Sequence, residues 1–134
     1  MARRARDLGE AELEILRILW DRGACTVREV LEALHGSGRK VAYTTVLTTL
    51  SRLEQKKFVA SNKSGMAYVY RARISRDRVV RSRIGSLVQQ LFDGAPGSLV
   101  VQLMESERFT PEELAQFRAL IDRLDEDRGP GGRR

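Results

Sequence analysis

The sequence predicts a mainly α-helical protein with one small β-hairpin, and three observations carry that expectation. Apolar residues recur at helical spacing in six stretches, two short runs near the middle are strand-like, and Gly- or Pro-containing breaks separate them. At 134 residues there is room for one compact domain with an appended assembly module. Two large independent cores, or a large internal substrate cavity, would need a longer chain.

The first helix spans about Gly9 to Arg22, with Leu13, Leu16, Leu19 and Trp20 at helical spacing, and Gly23 ends it. The second begins at Thr26, which forms a capping box with Glu29: hydroxyl and carboxylate each satisfy a backbone N–H. Val27, Val30, Leu31 and Leu34 make its buried stripe, and Gly36-Ser37-Gly38 stops it.

The third helix, about Tyr43 to Lys57, is the most informative. Val46, Leu50 and Leu53 form a narrow apolar seam. The other face carries Thr44, Thr45, Thr48, Ser51, Arg52 and Gln55, with Arg39 and Lys40 ahead of it and Lys56-Lys57 behind. Threonine is a poor helix former, so its abundance here needs a reason. A helix lying deep in a DNA major groove supplies one, because short donors reach phosphates and base edges that bulky side chains would hold away. The plain alternative is a solvated face.

Phe58–Ser61 and Ala67–Arg71 then read as two strands joined by Asn62-Lys63-Ser64-Gly65-Met66. Three helices and a hairpin are the winged variant of helix-turn-helix, with the third helix in the major groove and Lys63, at the wing tip, against the flanking backbone. A structural ribbon with a solvated Lys63 is the alternative. From the residues themselves the expected DNA contacts are Arg39, Lys40, Thr44, Thr45, Thr48, Arg52 and Lys63.

Beyond Ile74, Ser75 caps a helix with Val80, Ile84, Leu87 and Leu91 on one side. The break at Asp93-Gly94-Ala95-Pro96-Gly97 precedes a helical run containing Leu99 and Leu103. Thr110-Pro111-Glu112-Glu113 then opens a closing helix with Leu114, Phe117, Leu120, Ile121 and Leu124. One-sided stripes with no sheet to cover them imply burial against a second chain, the alternative being packing back onto the front domain. The expected organisation is a winged helix-turn-helix DNA-binding domain over 1–73, a helical dimerisation domain over 74–127 and a disordered tail over 128–134. The dimerisation residues are Val80, Ile84, Leu87, Leu91, Leu99, Leu103, Leu114, Phe117, Ile121 and Leu124.

Charge divides the same way. Residues 1–83 hold 18 Lys/Arg against 9 Asp/Glu, whereas residues 84–134 hold 6 against 9. A basic front half favours polyanions, since each phosphate neutralised releases counterions from nucleic acid. No apolar stretch is long enough to span a membrane and none follows Arg3-Arg4-Arg6 as a signal peptide requires, so a cytoplasmic protein is expected. Cys25 and His35 each stand alone. That leaves no disulfide, cysteine cluster or catalytic set, and neither an enzyme nor a cofactor is expected.

Five segments in order resemble the BlaI/MecI/CopY penicillinase-repressor family. They are Leu8-Gly9-Glu10-Ala11-Glu12 through Leu19-Trp20; Thr26-Val27-Arg28-Glu29-Val30; Ala42 through Leu50 with Arg52-Leu53; Lys63-Ser64-Gly65 with Tyr68-Val69-Tyr70; and Ser98-Leu99-Val100. The resemblance implies a homodimer that represses genes by occupying a two-fold symmetric operator of double-stranded DNA near a promoter. Its groove-reading helix falls on Tyr43, Thr44, Thr45, Leu47, Thr48 and Arg52. Relatives carry a basic residue or glutamine at the position of Leu47 and commonly a basic one at Met66. Beta-lactam-responsive relatives are cut by a regulatory protease at an Asn-Phe bond that aligns with Gln102-Leu103. This chain lacks that pair, so such a partner stays open. It also lacks the cysteine-rich metal motif of copper-responsive relatives. An activator or architectural protein on the same fold is the runner-up.

Overall fold

The structure is a computed structural model that describes residues 8–128. Helix α1 (Glu10–Arg22) follows Gly9, whose N–H donates to the Glu12 carboxylate at 2.9 Å. Gly23, at φ 86° and ψ −161°, turns the chain out of the helix in a conformation that side-chain-bearing residues avoid. A two-residue strand, β1 (Cys25–Thr26), leads directly into α2 (Val27–Gly36). There the expected capping box forms: the Glu29 N–H donates to Thr26 Oγ1 at 3.2 Å and the Thr26 N–H to Glu29 Oε1 at 2.8 Å.

Helix α3 (Tyr43–Gln55) buries Val46, Leu50 and Leu53, the seam read from the sequence, together with Thr49. Thr49 solves its burial by donating its hydroxyl to the Thr45 carbonyl at 2.8 Å. Lys57 then takes a left-handed φ of 68°, and the Lys57 and Phe58 N–H groups donate to the Glu54 and Leu53 carbonyls at 3.0 Å.

Strands β2 (Val59–Asn62) and β3 (Val69–Ala72) form the expected hairpin, with Ser61 opposite Tyr70. β1 adds to the other edge of β3, pairing Cys25 with Tyr70, so the sheet has three antiparallel strands in the order β1-β3-β2. Two residues are too few for a periodic signal, and this strand escapes sequence reading. Cys25 is buried there, and burial pushes its thiol pKa up, with Glu29 adding to the effect and Arg22 opposing it. The core gathers Leu8, Ile15, Leu16, Leu19, Val27, Val30, Leu34, Val46, Leu50, Leu53, Phe58, Val59 and Tyr70 between α1–α3 and the sheet.

Helix α4 (Arg76–Leu91), capped by Ser75, belongs to this first unit, which ends at Gly94 rather than at residue 73. Four contacts account for the difference. Val79 enters the core, Trp20 Nε1 donates to the Ile74 carbonyl at 2.8 Å, Arg76 pairs with Asp21, and Arg83 donates to the Leu8 carbonyl at 2.9 Å. The second unit begins at Ala95 and contains α5 (Pro96–Ser106) and α6 (Pro111–Arg128). Thr110 and Glu113 complete the expected capping signature of α6. Arg128, expected in the tail, is its last residue. Arg3, Arg4, Arg6 and residues 129–134 lie outside the described residues. Among the described residues no helix is long and apolar enough to cross a membrane.

Candidate nucleic-acid interface

With its seam fully buried, α3 is rotationally fixed, and the opposite face is thereby committed to solvent. Thr44, Thr45, Leu47, Thr48, Ser51, Arg52 and Gln55 are all exposed on it, and Tyr43 is 45% exposed at its first residue. The structure therefore brings the expected reading residues onto one surface. The hydroxyls project only two bonds from the backbone, leaving Arg52 as the long cation among short donors. Leu47 contributes an exposed methyl-bearing patch, 36% accessible.

The first turn of α3 holds no acidic residue, and its N-cap Ala42 offers no side chain to the free N–H groups. The positive end of the helix dipole is left uncompensated, which suits an approaching phosphate. Just upstream, Arg39 and Lys40 are exposed in the turn between α2 and α3. The Arg39 guanidinium lies 3.2 Å from the Glu14 carboxylate of α1, and His35 Nε2 lies 2.9 Å from the Val41 carbonyl, so this turn is tied at both ends.

The hairpin tip is organised by Asn62, whose Oδ1 accepts from the Ser64 N–H at 3.0 Å and the Ser64 hydroxyl at 2.7 Å. Lys63 does not project freely. Its ammonium lies 5.4 Å from the centroid of the Tyr68 ring and 4.0 Å from the Glu54 carboxylate. Met66, at the wing tip, is fully exposed. Sequence reading missed Glu54, because a lone acid on a helix gives no signal until the hairpin folds against it. The Tyr70 hydroxyl beneath is pushed up in pKa by burial, then by the Glu54, Tyr68 and Tyr43 charges.

The carboxylate of Glu12 in α1 is buried and accepts from Lys56 Nζ, at the end of α3, at 2.8 Å. This ion pair pins the C-terminal end of α3 to α1. Among the described residues no group of His, Cys, Asp and Glu could hold a metal ion.

The residues expected to dimerise divide between the units. On α4, Val80, Ile84, Leu87 and Leu91 are exposed, with Leu91 reaching 70%. In the second unit, α5 and α6 bury none of their residues: Leu103, Ile121 and Leu124 are exposed, while Leu99, Leu114 and Phe117 are half-buried. Phe117 packs edge-on against Phe109 at 5.1 Å between ring centroids. Val100, Val101, Met104 and Leu120 add to the exposed apolar surface and were absent from the expected set. The Gln102–Leu103 bond lies inside α5.

Comparison with known proteins agrees with this geometry. The transcriptional regulator BlaI of Mycobacterium tuberculosis is 33% identical over 124 residues, covering 91% of this chain and 88% of that one. The penicillinase repressor of Bacillus licheniformis is 23% identical over 115 residues, covering 86% and 89%. The solution structure of the DNA-binding domain of the repressor BlaI superposes with a TM-score of 0.50 at 26% identity, over 58% of this chain and 93% of that domain. The pattern of the family described as penicillinase repressor matches residues 8–123, so the chain, a winged helix by its fold, belongs to the penicillinase repressor family.

Proposed function

We infer that the protein is a DNA-binding transcriptional repressor that acts in the cytoplasm as a homodimer on a two-fold symmetric operator at a promoter. The observation that carries this reading is the face of α3: seven exposed residues from Thr44 to Gln55, short and hydroxyl-rich, with one arginine, standing opposite a wholly buried seam. Thr44, Thr45, Thr48 and Arg52 meet base edges and phosphates, and Leu47 meets a thymine methyl in place of a polar contact. Arg39 and Lys40 on one side and Lys63 on the other take the flanking backbone.

The exposed apolar stripes of α4, α5 and α6 support the dimer. Two half-sites then lie about one helical turn apart, and the bound dimer blocks polymerase. Repression is relieved by whatever separates the C-terminal helices. A regulatory protease is one such agent, and to cut at Gln102–Leu103 it must first unwind α5.

The test is a binding titration on DNA from upstream of the protein's own gene. Arg52→Ala should lower affinity for the preferred site by roughly 10-fold or more, in line with the 1–3 kcal/mol of a base contact, while leaving thermal unfolding unchanged. A variant that binds that site as tightly as the wild type places the reading surface elsewhere.

A further inference from the structure

Two residues of the hairpin, Ser61 and Lys63, converge on the carboxylate of Glu54 in α3. Glu54 Oε2 accepts the Ser61 hydroxyl at 2.5 Å, which fixes the direction of the carboxylate, and its Oε1 faces the Lys63 ammonium at 4.0 Å. Tyr68 closes the arrangement, with its ring 5.4 Å from the same ammonium. Glu54 is only 33% exposed in its side chain and flanks Thr48, Ser51, Arg52 and Gln55 around a shallow depression on the outer surface of α3. A fixed negative charge at the edge of a surface proposed to approach phosphates works against DNA binding.

We propose that Glu54 is an attenuator of DNA binding: it holds the wing cation Lys63 against α3 in the free protein, so that phosphate must displace a carboxylate to recruit the wing. This rests on the DNA-reading role of α3 and adds to it a residue that limits affinity. The consequence is readable in the salt dependence. The Lys63–phosphate contact releases about one counterion whether or not Glu54 is present, but the Glu54–Lys63 attraction that must be overcome is screened, so the cost it sets is largest at low salt and fades as salt rises. Without Glu54 that salt-dependent cost is absent.

The experiment is a four-member cycle of wild type, Glu54→Gln, Lys63→Gln and the double variant, each titrated with one duplex of arbitrary sequence and one from the preferred site, over a range of salt. Glutamine keeps an acceptor for the Ser61 hydroxyl, and thermal unfolding checks that each variant is folded. Glu54→Gln should tighten binding about two- to fivefold at low salt, the range an exposed ion pair spans, and the gain should shrink as salt rises, steepening the logarithmic salt slope by less than about one. In the Lys63→Gln background both effects should largely vanish. Equal gains in the two backgrounds would reduce Glu54 to a general charge effect and overturn the attenuator, as would an unchanged slope. Wild-type protein that binds neither duplex would overturn the reading of α3 itself, a result distinct from either of these.

Discussion

Glu12 shows how a single buried acid can serve a surface some distance away. Its carboxylate is 4% exposed, with Oε1 taking both the Gly9 N–H and Lys56 Nζ, while Oε2 makes no hydrogen bond. A buried ion pair gains little over an apolar pair of the same shape, yet breaking one leaves an uncompensated charge. Glu12→Gln should therefore destabilise the fold by about 2 kcal/mol in denaturant unfolding. Unchanged stability would mean that the desolvation of the two charges cancels their attraction. The same residue illustrates what a sequence hides. Glu12 sits among Glu10 and Glu14 in a stretch that reads as a solvated face, and only the folded position of Lys56, 44 residues on, explains why it points inward.

At the level of elements, the boundaries of α1, α2 and α3 were legible because each has a local cause: Gly23 after α1, the Thr26–Glu29 box before α2, and the apolar seam of α3. The exposed face of α3 followed from that seam, since fixing one side of a helix fixes the other. Thr49, the threonine left off that face, lies in the buried seam. β1 was not legible because its stability comes entirely from pairing with β3, a partner more than 40 residues away in sequence. α4 was grouped with the later helices on the strength of its exposed stripe. Its attachment to α1 runs through Trp20, Asp21 and the Leu8 carbonyl, contacts with no periodicity to announce them.

At the scale of the whole molecule, a unit proposed to read DNA is joined to exposed helical surface proposed to bind a second copy. Two half-sites engaged at once gain from effective concentration, so affinity for an operator depends on the dimer. Leu87 is 37% exposed on the α4 stripe. Leu87→Asp should shift the protein toward monomer in sedimentation and weaken operator binding about a hundredfold or more, with the winged-helix unit still folded. A fully dimeric, fully active variant would move the interface off α4. The charge asymmetry of the chain fits the same division of labour, since the basic excess lies within residues 1–83, which carry the proposed DNA-reading face.

The operator-binding role is tested by a footprint of the purified protein on the DNA flanking its own gene, taken at several salt concentrations with wild type and Arg52→Ala side by side. Wild type should protect a two-fold symmetric site overlapping a promoter, with half-sites about one helical turn apart or slightly more, lost in the variant and set against weak, salt-sensitive binding elsewhere. Uniform protection of any DNA, or a site that Arg52→Ala occupies unchanged, would contradict it.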